Sequence, residues 1–283
     1  GIARQQPQLS ARVAQRKGIE PFADTKIASA ALGHQQLEAA RGLNSPALRF
    51  GDRQAGSDSL HRSLGDRLRN FNDGRDFVET AQRYLFGELG FQPNEQDFFD
   101  PCNSCLNEVL RRRTGIPITL SLVYMEVARR LQMPVYGISL PNRFLVQFDD
   151  GRFATFIDPF GGGRPVTPRE CFQLAGVETP ELTMLARASK KQILMRMLLN
   201  LQRAYMQARD YPRAVMTLNY LLDSEPEMAP WRKLRGMLLL ELKRFSLAQA
   251  DLEVYLTLQP EAADAEFIRQ QILSIRQWAA RNN

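Results

Sequence analysis

The sequence is poor in cysteine and histidine, with three cysteines and two histidines among 283 residues. Three cysteines are too few for a disulfide framework, so we expect a protein of a reducing, intracellular compartment, either cytoplasm or plastid stroma. Cys102 and Cys105 form a single C-x-x-C, but a zinc site needs two further ligands. The remaining candidates, Cys171, His34 and His61, stand at no recognisable zinc spacing. We therefore predict no metal and no cofactor.

Long apolar runs and a strong charge excess are also missing. The stretch from Ile116 to Met125 contains polar residues and falls short of the roughly 20 residues that a bilayer span needs, so we expect a soluble protein. The net charge of +6 is modest, and Arg111, Arg112 and Arg113 form the tightest basic run. We interpret this run as the last turn or solvated face of a helix, with a phosphate patch as the weaker alternative. No DNA- or RNA-binding motif accompanies it, so nucleic-acid binding is not expected.

The amino-terminal part divides into a tail and a helical region. Residues 1–34 read as a basic, flexible tail, and the first 19 residues have the composition of either a transit-peptide remnant or a plain disordered tail. Helical periodicity then begins. Three apolar faces indicate amphipathic helices: Leu37, Ala40 and Leu43; Leu60, Leu64 and Leu68; and Phe77, Ala81, Tyr84, Leu85 and Leu89.

The middle of the chain has an α+β pattern. Asn103 or Ser104 is predicted to cap a helix that Gly115 ends, and Pro117 suits the first position of the next helix. Thr167 and Glu170 form a capping box before a later short helix. Alternation and turn residues predict three strands, over residues 135–139, 144–148 and 152–157.

Several motifs in this region carry a family resemblance. GIPITLSLVYMEVARRL, PNRFLVQF and IDPFGGG occur in the order seen in the SirB1-type transglutaminase-like family, and QRYLFGELGF with DFFDPCNSCLNEVL extends the similarity upstream. The resemblance covers roughly residues 81–163. It implies an α+β, papain-like core with N-terminal helices, which we place at residues 35–183.

The resemblance also implies where a catalytic Cys-His-Asp triad would lie. In such enzymes the His takes the thiol proton and the Asp orients the imidazole, so that a thiolate can attack an amide. The three positions fall on Pro117, Arg143 and Asp158. Proline has no nucleophile, and a guanidinium stays protonated and cannot act as a base. We hypothesise that Arg143 and Asp158 form an ion pair in this pocket instead.

A replacement nucleophile is the alternative. Cys105 lies one helix earlier, and Thr119 and Ser121 lie in the same helix as Pro117, but neither histidine falls in the resembling region. A thiol hydrolase or acyltransferase using Cys105 would need a base from outside the motifs. The sequence therefore favours a chain without catalytic residues and leaves a rearranged Cys105 site as the second possibility.

The last third contains an internal repeat. Tyr211, Ala214 and Pro226 recur 34 residues later, and Gly236 stands where the repeat consensus places glycine. This is the period of the tetratricopeptide repeat. We assign residues 188–283 to an all-α repeat domain with a capping helix, whose apolar residues are Phe267, Ile268, Ile272 and Ile275. Two repeats fall short of the three usually needed, so we expect the core domain to dock against them.

The repeat groove supplies the candidate binding residues. Repeat arrays hold peptides or partner proteins in a concave face, and the candidates here are Met195, Arg196, Asn200, Arg203, Met206 and Lys233. Intramolecular packing is the alternative role for the same residues. We predict a non-catalytic protein-interaction, assembly or regulatory factor that binds a protein partner or joins a larger complex through this groove.

Overall fold

The computed structural model describes residues 73–282 of the chain. The predicted tail of residues 1–34 and the predicted helices around residues 37–43 and 60–68 lie outside the described residues.

Helix α1 (Gly74–Gln82) opens the described part and continues as a π-helical turn, Arg83–Glu88. The Asp73 carboxylate caps it by accepting two backbone N–H groups of the first turn. Phe77 and Ala81 are buried, as their spacing predicted. The wider turn at the end of the helix was not predicted, because the apolar spacing indicated one continuous α-helix.

A short parallel ladder and two small helices follow. Strands β1 (Gln92–Pro93) and β2 (Thr114–Gly115) pair with each other. Between them lie a 3-10 turn (Pro101–Ser104) and helix α2 (Leu106–Arg112). The helix ends before Gly115, with Arg113 in the left-handed conformation (φ 54°).

The predicted cap of α2 is wrong by one or two residues. Asn103 and Ser104 lie in the 3-10 turn, and Cys105 takes the N-cap position without a side-chain capping bond. Asn103 is unavailable as a cap because its amide donates to the Asp97 carbonyl at 2.7 Å and its oxygen accepts from Asn94. The buried Asn103 side chain therefore stabilises the preceding loop through these hydrogen bonds.

Helix α3 (Pro117–Arg130) is the central element of the domain. Pro117 occupies the first helical position, as predicted, where a missing N–H leaves no hydrogen bond unmade. The helix buries residues on most of its surface, including the polar Thr119 and Ser121.

A four-stranded antiparallel sheet packs against α3. Its strands follow chain order: β3 (Val135–Leu140), β4 (Arg143–Asp149), β5 (Ala154–Asp158) and β6 (Arg164–Val166). The first three confirm the predicted strands to within two residues. Strand β6 was not predicted, because Pro165 and the preceding glycines indicate a bend rather than a strand.

The core between α1, α3 and the sheet is aromatic. The Phe77 ring centre lies 6.3 Å from that of Tyr124 and 5.4 Å from that of Phe148. All three side chains are buried. Burial of each such side chain contributes about 1.5–3 kcal/mol, so this cluster stabilises the contact of both helices with β4.

Two further short elements complete the domain. A 3-10 turn (Pro159–Gly161) follows β5, and helix α4 (Pro168–Ala175) follows β6. The Thr167 hydroxyl accepts from the Glu170 N–H while the Glu170 carboxylate accepts from the Thr167 N–H, which confirms the capping box.

The segment after α4 is held along the edge of the sheet. After a 3-10 turn (Leu182–Leu185), Arg187 pairs with Ile138 of β3, and the Ala188 N–H donates to the Gly137 carbonyl at 2.8 Å. The Arg187 guanidinium also covers an aromatic ring of the same strand. The segment that connects the core domain to the repeats is therefore bonded to β3, which is an edge strand of the sheet.

The repeat domain consists of helical hairpins and a capping helix. Its helices are α5 (Lys190–Gln207), α6 (Tyr211–Ser224), α7 (Ala229–Glu241), α8 (Phe245–Leu258) and α9 (Ala265–Asn282). Helix α5 pairs with α6, and α7 pairs with α8.

The 34-residue repeat is confirmed by equivalent positions in the two hairpins. Tyr211 and Phe245 begin the second helix of each hairpin. Ala214 and Ala248 are both fully buried at the helix crossing. Small residues at these positions let the two helices of each hairpin approach closely.

The predicted capping helix is α9, and its apolar residues differ in burial. Ile268, Ile272 and Ile275 are buried, but the Phe267 side chain is 53% exposed. The buried residues follow the helical spacing of four and then three, and Phe267 lies about 100° away from Ile268 around the helix. Phe267 therefore lies off the buried face.

The expected docking of the core domain on the repeats is confirmed. Helix α5 contacts α3, β3 and the 3-10 turn Pro101–Ser104. The first repeat helix thus has a neighbour on each side, which supplies packing surface that two repeats lack on their own.

We predict that Gly236→Ala lowers the free energy of unfolding by about 1 kcal/mol. An added Cβ would lie 2.8 Å from Cδ2 of Leu252 in the facing helix. Overpacking of this kind costs about 1–3 kcal/mol, which exceeds the helix propensity of about 1 kcal/mol that alanine gains over glycine. Urea denaturation of the full chain measures the difference.

Gly87→Ala is the matched control for this substitution. Gly87 lies in the π-helical turn, and an added Cβ there meets nothing within 4 Å. We expect no loss of stability in this variant. Equal effects of the two substitutions would contradict the close crossing at Gly236.

Candidate functional site

The amino-terminal end of α3 holds Pro117, the residue predicted at the first triad position, which has no nucleophilic side chain. Pro117 is buried there. The nearby Thr119 hydroxyl accepts from the Ile116 N–H at 3.1 Å and donates to the Asn103 carbonyl at 2.8 Å. The Ser121 hydroxyl donates to a strand carbonyl, that of Phe144, at 3.0 Å. Both hydroxyl groups therefore tie the helix to its surroundings.

The other two triad positions form the ion pair that we hypothesised. Arg143 begins β4 and Asp158 ends β5, and the antiparallel sheet brings them together. Arg143 Nη2 lies 3.2 Å from Asp158 Oδ2. The Asp158 side chain is 1% exposed and the Arg143 side chain 17% exposed. The carboxylate is thus screened from solvent and has a cation as its partner.

Two neighbours shape this ion pair. The Arg143 guanidinium carbon lies 4.9 Å from the centre of the Phe160 ring, a cation–π distance. A Cβ at Gly161 would lie 2.6 Å from Asp158 Oδ2, so the carboxylate occupies space that a larger residue would fill. The motif IDPFGGG contains both neighbours, but its sequence did not indicate their contacts with Arg143 and Asp158.

Only one atom of each group, Arg143 Nη2 and Asp158 Oδ2, takes part in the contact. Asp158 Oδ1 and Arg143 Nε are buried and make no hydrogen bond with any described residue. The contact is therefore monodentate and lacks the second parallel hydrogen bond of a fork-to-fork pair. Removal of either partner would leave the other charge buried and uncompensated.

Cys105, the alternative nucleophile, is a half-buried thiol, and the described residues bring no histidine to it. Its Sγ donates to the Pro101 carbonyl at 3.6 Å, and burial raises the pKa of the Cys105 thiol to about 12. Burial, followed by the charge of Asp100, also raises the pKa of Cys102. Burial, followed by the charge of Asp158, raises the pKa of Cys171 to about 12.

Residues 73–282 contain no histidine, so no imidazole of the described part of the chain can serve these thiols as a base. His34 and His61 lie outside the described residues. Among residues 73–282, no group of three His, Cys, Asp or Glu side chains could hold a metal ion.

The basic run ends α2, as predicted, and each of its arginines has an intramolecular partner. Arg111 pairs with Glu108 at 2.6 Å, and Arg112 pairs with Asp100 at 2.7 Å. Arg113 donates to a backbone carbonyl of the π-helical region. These contacts leave the run without an unpaired cation.

The six predicted groove residues fall into two groups. Met195 and Met206 pack against the apolar core of the first hairpin, and Lys233 pairs with Asp264 at 2.8 Å and lies over the Tyr255 ring. These three side chains are therefore engaged in contacts within the repeat domain.

The remaining three groove candidates share one face of α5. Arg196 and Asn200 are half-buried and Arg203 is exposed. Their spacing of four and then three residues aligns the side chains along the helix.

The sequence did not indicate Asp264 as the acidic partner of Lys233, because Asp264 lies in the loop before α9, 31 residues further along the chain.

No helix within the described part of the chain is long and apolar enough to cross a membrane.

Comparison with family models matches both parts of the chain. Residues 54–199 match the transglutaminase-like superfamily, and residues 201–272 match the tetratricopeptide repeat. No solved structure gives a significant match.

Several curated proteins are similar over most of the chain. A UPF0162 protein of Xylella fastidiosa is 37% identical over 208 residues, which cover 70% of this chain and 73% of that protein. A UPF0162 protein of Pseudomonas aeruginosa is 30% identical over 76% of this chain and 80% of its own length. Human F-box only protein 21 is 32% identical over 57% of this chain, but this part is 26% of that protein. The chain is therefore homologous to the UPF0162 proteins, has tetratricopeptide repeats after its transglutaminase-like domain, and belongs to the transglutaminase-like superfamily.

Proposed function

We propose that this chain is a SirB1-type, non-catalytic protein-interaction, assembly or regulatory factor. It combines a degenerate transglutaminase-like domain, assigned to residues 35–183, with a repeat domain, assigned to residues 188–283. The observation that carries the proposal is the contact between Arg143 and Asp158. A guanidinium lies where the chemistry of the family would require an imidazole.

The chemistry explains why this contact opposes catalysis. A thiol attacks an amide only after a base has taken its proton, and an imidazole does so because its pKa lies near neutral pH. The guanidinium of Arg143 has hydrogen-bond donors and no acceptor, so it does not supply such a base. It pairs with the buried carboxylate of Asp158, and Pro117 offers no thiol at the start of α3.

The alternative function, a thiol hydrolase or acyltransferase using Cys105, has less support. Reactive cysteines have a lowered pKa and a neighbouring cation or base, whereas burial raises the pKa of Cys105 to about 12. Thr119 and Ser121, the hydroxyl groups of the first turns of α3, already donate hydrogen bonds to backbone carbonyls.

An interaction role is supported by the repeats and by the relatives. Tetratricopeptide hairpins present an extended surface for other proteins, and α5 carries three polar side chains on one face. A similar segment also forms about a quarter of an F-box only protein. Three free thiols suit a reducing compartment, so a cytoplasmic or plastid location belongs to the same proposal.

The first test is the reactivity of Cys105 in the folded chain. In a Cys102→Ser/Cys171→Ser variant, we expect an electrophilic thiol probe at neutral pH to label Cys105 roughly a thousandfold more slowly than in the urea-unfolded chain. A pKa of about 12 in place of 9.0 lowers the thiolate population by this factor. The rate should rise about tenfold per pH unit up to pH 10. Rapid labelling at neutral pH, read by peptide mass spectrometry, would instead support the thiol enzyme.

The second test measures the contribution of the ion pair to stability. We expect Arg143→Met and Asp158→Asn each to lower the free energy of unfolding, with a loss of about 3 kcal/mol for Arg143→Met, which leaves a buried carboxylate unpaired. The double variant should lose less than the sum of the two single losses, because the residues interact. Urea denaturation supplies all four values.

An exposed ion pair serves as the control for that cycle. Lys191 and Glu225 lie 2.6 Å apart with 60% and 46% of their side chains exposed. Lys191→Met should change stability by less than about 1 kcal/mol. If Asp158→Asn also leaves the free energy of unfolding unchanged, the ion pair does not stabilise the domain, and the proposed structural role of Arg143 and Asp158 is wrong.

The third test addresses the partner. A photo-reactive residue in place of Arg203 should cross-link another protein in an extract of the native cells, because this exposed position lies on the free face of α5. The same residue in place of Arg169, an exposed arginine of α4, is the control. Equal products at both positions, or none at Arg203, would argue against binding through α5.

A further inference from the structure

Helix α5 carries an unbalanced positive charge. Its 18 residues include Lys190, Lys191, Arg196 and Arg203 and no Asp or Glu. Lys191 pairs with Glu225 of the neighbouring hairpin helix. Neither Arg196 nor Arg203 has a hydrogen bond, ion pair or ring contact within the described part of the chain. The face that these two arginines share is therefore uncompensated.

Arg196 differs in this respect from other partly buried arginines. Arg112, Arg213 and Arg235 are also partly buried, and each lies between 2.6 and 2.7 Å from a carboxylate oxygen. The carboxylate of Asp210, in the loop after α5, is already bound by Arg213. The described part of the chain thus provides a carboxylate for these three guanidinium groups and none for Arg196.

The environment of Arg196 favours an anion. Burial, and then the nearby positive charge of Arg203, lowers the pKa of Arg196. A partly desolvated cation beside a second cation is destabilising unless a negative charge compensates it. Since residues 73–282 supply no acid beside either arginine, a bound carboxylate is the partner that would compensate this surface.

The spacing along α5 defines the shape of a suitable ligand. Arg196 and Arg203 are seven residues apart, which corresponds to about 10 Å along a helix. An extended polyproline II segment repeats its side-chain direction every third residue, about 9 Å further on. Carboxylates three residues apart would therefore meet the two arginines. Asn200 lies between them, where its amide can bond to the backbone groups that such a segment leaves unpaired.

We propose that Arg196, Asn200 and Arg203 bind an extended acidic segment of a partner protein, with two carboxylates three residues apart. This inference rests on the proposed interaction function and names the chemistry of the partner. The backbone positions of Arg196 and Arg203 lie about 10 Å apart along α5, a spacing that matches two separate carboxylates of an extended segment. The α5 aromatic residue, Tyr205, is buried in the hairpin core, so this face offers no ring for stacking on nucleic-acid bases.

The test uses the full chain and fluorescent peptides in a binding titration. The probe is a short proline-rich peptide with two Glu residues three positions apart, and the comparison peptide has Gln at both positions. We expect the Glu peptide to bind at least about tenfold more tightly, since each Arg–carboxylate contact contributes roughly a factor of ten. Added salt should weaken the binding.

Substitutions locate the site. Arg203→Gln should weaken binding of the Glu peptide about tenfold, and Arg203→Glu should abolish the preference for Glu over Gln. Arg169→Gln removes the same charge from exposed α4 and should leave binding unchanged. The proposal is overturned if the two peptides bind equally, if Arg203→Gln matches Arg169→Gln, or if a single-stranded oligonucleotide of equal charge binds as tightly.

Thermal unfolding of Arg196→Met separates a binding role from a structural one. Removal of an unpaired, half-buried charge should raise the unfolding midpoint while it weakens binding of the Glu peptide. A lower midpoint would show that Arg196 stabilises the fold and would contradict the proposal. Cross-linking at position 203 without any preference for Glu peptides would overturn the acidic ligand and leave the interaction function standing.

Discussion

The burial of α3 is the constraint on which the rest of the molecule depends. Its apolar side chains pack against α1 and the sheet, so the helix cannot shift without opening the aromatic core around Tyr124. Two buried hydroxyl groups fix its position, because Thr119 and Ser121 bond to carbonyls of the preceding turn and of β4. A helix held in this way presents its amino terminus at one place in the fold.

That place determines the nature of the candidate site. In a thiol enzyme of this superfamily, the start of the central helix carries the nucleophile and the following strands supply base and acid. Here Pro117 begins α3, and Arg143 and Asp158 form an ion pair at the ends of β4 and β5. The buried Asp158 needs that cation, because a carboxylate that is 1% exposed is costly without one. This stabilising contact lies at the positions where the family resemblance predicts the base and acid of a triad.

Helix α5 links this domain to the surface proposed for binding. One side of α5 completes the first helical hairpin, and another contacts the core domain at α3, β3 and the 3-10 turn. The segment before α5 fixes the position of this helix, because the Ala188 N–H donates to the Gly137 carbonyl of the edge strand β3. A rigidly placed helix can hold Arg196 and Arg203 at a fixed separation, which favours recognition of a ligand with matching charges.

The sequence by itself determined the features that depend on local spacing: helix α1 from its apolar period, three strands, the start of α3 at Pro117, the capping box of α4 and the 34-residue repeat. These follow from neighbouring residues and the geometry of one element. Only the tertiary structure decided the cap of α2, strand β6 and the exposure of Phe267. The same holds for the distance between Arg143 and Asp158 and for the lack of a carboxylate beside Arg196. Each of these depends on residues that are far apart in the chain, and a linear pattern does not specify which of them come into contact.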